Sequence, residues 1–222
     1  MKKLLPFLLL LCASSVRANE FDDTYGVGVL HVDLTVISDL KFYPTWSPEK
    51  IAEDLKFETS NVDKKGKTKT SKLLSGNEKK WLEPEAFDPA NMVFTMRVME
   101  KKSGWFSVMV NNRTRQTYWV RAANGLGFNT WNDEIEFCLG VARTSKGENP
   151  LRKAPSSNFT LVWDEKLPEC FKVEAVQGYW VRVSMKKDCP EGAQKFDEAW
   201  FKWRDEKDLF VSYQPAPVIE KK

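Results

Sequence analysis

The sequence predicts an all-β protein, two copies of one small β module behind a leader peptide. Three observations carry that expectation. Apolar residues recur with period two in short runs broken by glycine, Asn-Asn or lysine-rich turns, the pattern of half-buried strands. A pair of tryptophan-bearing strands occurs twice, in the same order. Only one short stretch, residues 49–55, reads as helical.

The leader comes first. Lys2 and Lys3 precede an apolar stretch from Leu4 to Leu11, and Val16 and Ala18 suit the −3 and −1 positions of a signal-peptidase site. Cleavage is expected after Ala18, making residues 1–18 a signal peptide. The apolar stretch is shorter than the ~20 residues that span a bilayer, and no later segment reaches that length without charges. No transmembrane segment is therefore expected, and the mature chain is placed in the periplasm or outside the cell. Cys12 offers a lipoprotein alternative, but Leu11 stands where that cut needs a small residue. Lys2, Lys3 and Arg17, with no acid among the first 18 residues, account for the whole net charge of +3. The neutral body excludes nucleic acid held by a sustained positive field.

The strands follow. Phe94–Val98 alternates and residues 101–104 turn; Trp105–Val110 follows and residues 111–114 turn; Thr117–Ala122 leads to the Asn124-Gly125 turn. Trp105-Phe106-Ser107-Val108 is matched by Trp180-Val181-Arg182-Val183, and Trp119-Val120-Arg121 by Trp200-Phe201-Lys202. Upstream, Leu40–Pro44 is matched in spacing by Leu151–Pro155. The implied domains are 19–139 and 140–222, the first enlarged by an insertion over about residues 56–93.

The second half resembles the bacterial SH3 (SH3b) family. Residues 150–156, Pro-Leu-Arg-Lys-Ala-Pro-Ser, are similar to that family's opening arm, Asn-Val-Arg-Ser-Gly-Pro-Ser, and the strands bearing Trp180 and Trp200 are similar to its two tryptophan strands. Ala154 and Ala199 stand where the family has glycine. The resemblance covers about residues 140–213 and extends loosely to the first half. It implies two tandem SH3-like, partly open β-barrels, and a non-catalytic envelope role in binding cell-wall peptidoglycan, especially its peptide parts.

Strand alternation sorts the faces. Phe106, Val108, Val110, Tyr118, Val120, Val181, Val183 and Phe201 point inward. Trp105, Trp119, Arg121, Trp180, Arg182, Trp200 and Lys202 point outward and are the candidate ligand-binding residues. Indoles beside cations suit a peptide or glycan platform. Covering the barrel mouths or the insertion is the commoner duty of such side chains, and the sequence leaves both readings open. A patch joining Trp180 and Trp200 would favour an envelope-protein partner, the alternative to the wall. A cleft holding two carboxylates would favour a hydrolase.

The remaining chemistry is sparse. The mature chain keeps three cysteines. Cys170 opens a strand and Cys189 lies just past its hairpin partner. A turn at Gln177-Gly178 places residue 185 opposite Cys170, and a bend at Lys186-Lys187 brings Cys189 within reach. A Cys170–Cys189 disulfide is expected, with Cys138, between Phe137 and Leu139, a buried thiol. No Cys/His spacing suits a metal, so no metal or other cofactor is expected. His31, alone in a strand-like stretch, reads as structural. No nucleophile elbow or phosphate-binding glycine loop occurs, and no catalytic residue is assigned. Glu83, Glu85 and Asp88 lie in a proline-broken acidic loop, and Lys64, Lys65, Lys67, Lys69 and Lys72 in a basic one, both read as solvated.

Overall fold

The period-two runs form strands in the computed structural model, which describes residues 25–47, 49–61, 69–74, 80–159, 168–187, 189 and 196–215. The expected signal peptide and Lys64, Lys65 and Lys67 lie outside the described residues. In chain order the elements are β1 (Gly28–Val32), β2 (Asp39–Phe42), β3 (Glu53–Asn61), β4 (Lys69–Leu73) and β5 (Ala86–Asp88). A 3-10 turn (Pro89–Asn91) leads to β6 (Val93–Lys102), β7 (Trp105–Asn111), β8 (Gln116–Arg121) and β9 (Leu126–Thr130). The helix α1 (Trp131–Glu136) precedes β10 (Gly140–Arg143), β11 (Phe171–Gln177), β12 (Trp180–Met185), β13 (Ala199–Lys202) and β14 (Val211–Gln214). The protein is all-β in class.

Two sheets repeat one plan. The first runs β8-β7-β6-β1-β9 and the second β13-β12-β11-β10-β14, so the chain visits equivalent positions in the same order twice. Every pairing between these strands is antiparallel. The matched tryptophan segments occupy matched strands, Trp105 and Trp180 opening β7 and β12. The change from one sheet to the other falls at α1, just before Gly140.

Between β1 and β6 the first half carries β2 to β5. Residues 53–55, expected as helix, open β3. Pairing decides this: Leu40 faces Leu55 and Phe42 faces Glu53 across the β2–β3 ladder. Leu55 and Phe57 then alternate into the core, at 0 % and 4 % exposure.

The strand β1 is buried along its whole length because it lies between two cores. Leu30 and Val32 join Phe42, Leu55, Phe94, Met96, Val108 and Val120 on one side. Val29 points the other way, to Trp131, Phe171, Val181, Phe201 and Trp203. His31 shares the face of Val29 and meets α1. Its Nε2–H donates to Glu134 Oε2 at 2.6 Å, and Asn129 Nδ2 donates to the same oxygen at 2.9 Å. All three side chains are buried, and both donors converge on Glu134 Oε2, while Oε1 is buried without a hydrogen-bond partner.

The helix itself is short but well started: the Thr130 hydroxyl accepts from the Asp133 backbone N–H, and Asp133 sits in the first turn. Trp131 anchors the junction by donating from Nε1 to the Tyr25 carbonyl at 2.9 Å. The Arg97 guanidinium lies 4.6 Å over the Tyr25 ring and pairs with Glu85 at 2.8 Å. The Tyr25 hydroxyl in turn accepts from the Leu209 N–H. The two sheets are thus joined by polar groups as well as by apolar packing.

Cys170 and Cys189 form a disulfide with Cα atoms 5.8 Å apart. The expected register is off by one. The hairpin turns at Gly178-Tyr179, with Gln177 opposite Trp180, which shifts the register by two. A bulge between Val173 and Ala175 takes one residue back and leaves Phe171 opposite Met185, and Lys186 donates to the Cys170 carbonyl. The turn from Lys186 to Cys189 then closes the remaining gap. Cys138 is buried and unpaired in the second core.

Candidate functional site: paired indole and cation faces

Cross-strand register builds the site. In the first sheet Lys102, Trp105 and Arg121 stand opposite one another on β6, β7 and β8. Residues in register share a face, so the Trp105 indole has a cation on each side. In the second sheet Gln177, Trp180 and Lys202 form the equivalent row, and Arg182 stands opposite Trp200. Trp180, Arg182, Trp200 and Lys202 therefore form a two-by-two block in which indole and cation alternate in both directions. Val181, Val183, Ala199 and Phe201 on the reverse face are buried.

An arm pairs with the edge strand of each block. Tyr43 exchanges backbone hydrogen bonds with Trp119 at 2.9 and 2.8 Å, and Arg152 exchanges them with Trp200 at 2.7 and 2.8 Å. Tyr43 and Arg152 are therefore equivalent, which moves the arm match by two residues from the one read in the sequence. A shift of two preserves the face: Phe42 and Leu151, the neighbours on the core side, are both buried. Each arm covers the first indole of its unit. The Tyr43 ring meets Trp105 edge-on at 5.2 Å. The Arg152 guanidinium lies 5.6 Å from the Trp180 ring, and the Lys202 ammonium is at the same distance. Asn149 holds β13 in place, accepting from Lys202 N–H at 3.0 Å and donating to its carbonyl at 2.7 Å.

The seven expected outer residues differ in access. Arg121 is exposed; Trp119, Trp180, Arg182, Trp200 and Lys202 are half-buried. Trp105 departs from the expected outer position, at 8 % exposure, because the Tyr43 ring packs against it. It forms a floor, while Trp46, 48 % exposed, supplies the accessible indole of the first unit. The Lys102 ammonium lies 4.5 Å over the Trp46 ring. A cleft of about 610 Å³ is lined by Trp46, Ser47, Ser103, Gly104, Trp105, Arg121 and Ala122. The two-residue turn Ser103-Gly104, with φ of 46° and 81°, forms its rim; glycine takes the second, left-handed position without penalty.

Sequence reasoning missed Tyr43, Trp46, Lys102 and Arg152. The signal for Tyr43 and Arg152 was the repeat itself, aligned on the wrong pair of residues. Lys102 was assigned to a turn that register shows to be the last pair of the ladder, and Trp46 lies in a segment without periodicity.

The other groups singled out are engaged elsewhere. Glu83 pairs with Arg113 at 3.1 Å, Glu85 with Arg97, and Asp88 accepts from the Asn91 backbone at the 3-10 turn. Lys69 and Lys72 belong to β4, not to a loop. Among the described residues no group of three His, Cys, Asp or Glu side chains is placed to hold a metal ion, and no helix is long and apolar enough to cross a membrane. Neither protein-family models, nor curated proteins, nor solved structures give a match to the chain.

Proposed function

We propose that the chain is an exported, non-catalytic binding protein of the cell envelope, whose indole and cation faces contact the peptide or glycan of cell-wall peptidoglycan. The observation that carries this reading is the duplication of one arrangement, an indole flanked in register by a cation with an arm paired to the edge strand, on matching strands of two sheets. A cover for a core needs apolar contact alone, whereas a recurring indole–cation row offers both a flat apolar face and charge to a ligand. The shared strand order supports treating each unit as one SH3-like module, and the disulfide suits an oxidising compartment.

A second reading has its own support. Trp180 and Trp200 are diagonal neighbours on one sheet face, a patch suited to an envelope-protein partner. Incubating residues 19–222 with purified sacculi at moderate and high salt separates the two. Retention that survives high salt supports the wall reading, because aromatic contact is poorly screened. A protein left in the supernatant overturns it and favours the protein partner.

A further inference from the structure

The geometry points to a more specific ligand for the first unit: a sugar chain bearing carboxylates, held in the cleft between Trp46 and Arg121. This inference rests on the binding role proposed above and names the substrate class at one of its two faces.

The lining decides the chemistry. Trp46 contributes a half-exposed indole, and such a flat apolar face matches the C–H face of a pyranose ring. Ser47 and Ser103 add hydroxyls, which both donate and accept as a polyol requires. Arg121 stands at one side of the Trp105 floor and Lys102 at the other. No carboxylate lines the cleft, and among the described residues neither cation is placed in an ion pair. A planar guanidinium with no acid beside it is suited to a ligand carboxylate, which it can take in a bidentate pair. The volume of about 610 Å³ lies within the ~300–1,000 Å³ of small-ligand sites.

A peptide fits less well. Extended peptides usually gain affinity by adding a strand to a sheet edge. The β8 backbone at Trp119 already has Tyr43 as its hydrogen-bond partner, so that mode is closed beside the cleft. What remains open is the side-chain surface, which recognises rings and charge.

The test is calorimetric titration of residues 19–222 with a four-residue oligogalacturonate, a neutral galactose oligomer of the same length and an acidic hexapeptide. The acidic sugar is expected to bind at least tenfold more tightly than either of the others. Trp46→Ala, a half-exposed position that leaves the core intact, is expected to weaken it about tenfold. Arg121→Gln is expected to bring the acidic and neutral sugars to equal affinity. Equal binding of the two sugars by the unaltered protein, tighter binding of the hexapeptide, or indifference to Trp46→Ala overturns the inference. Sacculus retention without preference for the acidic sugar overturns this inference alone. Acidic-sugar binding through Trp46 without sacculus retention supports it and overturns the wall reading.

Discussion

At the scale of single residues, buried polar groups define the junction between the sheets. Glu134 is fully buried and accepts from both His31 and Asn129. Glu134→Ala leaves two buried side chains without their acceptor and is expected to cost about 3–5 kcal/mol in urea unfolding; a loss below about 1 kcal/mol would remove this cluster from the account. Protonation gives a second handle. Burial pushes the Cys138 thiol up to about 11 and raises the Tyr213 phenol well above its usual range. Unfolded thiols ionise near ~8.5 and phenols near ~10. Above those values the unfolded chain holds fewer protons than the folded one, so stability is complete below about pH 8.5 and falls as pH rises toward 11. Urea midpoints across that range are expected to decline, with the earliest part of the decline abolished in Cys138→Ser. A flat profile would contradict the burial of these groups.

At the scale of elements, strands whose side chains alternate were legible, and elements decided by distant partners were not. The turns expected over 101–104 and 111–114 bound β7 to within two residues, the observed turns being Ser103-Gly104 and 112–115, because local turn chemistry sets a hairpin. By contrast, residues 49–55 read as a short helix, yet Glu53, Asp54 and Leu55 are strand through pairing with β2. The helix α1 is six residues long, too short for a periodic signal; Thr130 and Asp133, three residues apart, were the available cue. The Cys170–Cys189 bridge was legible from hairpin geometry although the turn falls at Gly178-Tyr179, one residue later than expected, and the bulge near Glu174 corrects only half of the resulting shift. Closing a loop with a separation of 19 residues contributes about 3 kcal/mol in the chain-entropy model. Intact unreduced protein is expected to weigh two hydrogens less than the all-thiol chain. The double variant Cys170→Ser, Cys189→Ser is expected to lose about that stability, and an unchanged urea midpoint would show that the bridge contributes nothing.

At the scale of the whole molecule, two sheets repeat one five-strand path, the first with β5 added beside β6. The buried strand β1 of the first lies between their cores, and both sheets present indole–cation faces. The duplication was legible because Trp105 and Trp180 recur with the same alternation; which indoles are open to a ligand was not, since that depends on where the arms pair. Trp105 reads like Trp180 in sequence, yet Tyr43 covers it and Trp46 takes over the accessible role. The proposal that these faces hold the protein to the cell wall is tested by retention on purified sacculi at high salt, with residues 19–222 compared with Trp200→Ala. The unaltered protein is expected to stay bound, and Trp200→Ala, still folded by circular dichroism, to be retained several-fold less, in line with ~1–2 kcal/mol for an aromatic contact. Equal retention of the two proteins, or release of both into the supernatant, would contradict the proposal.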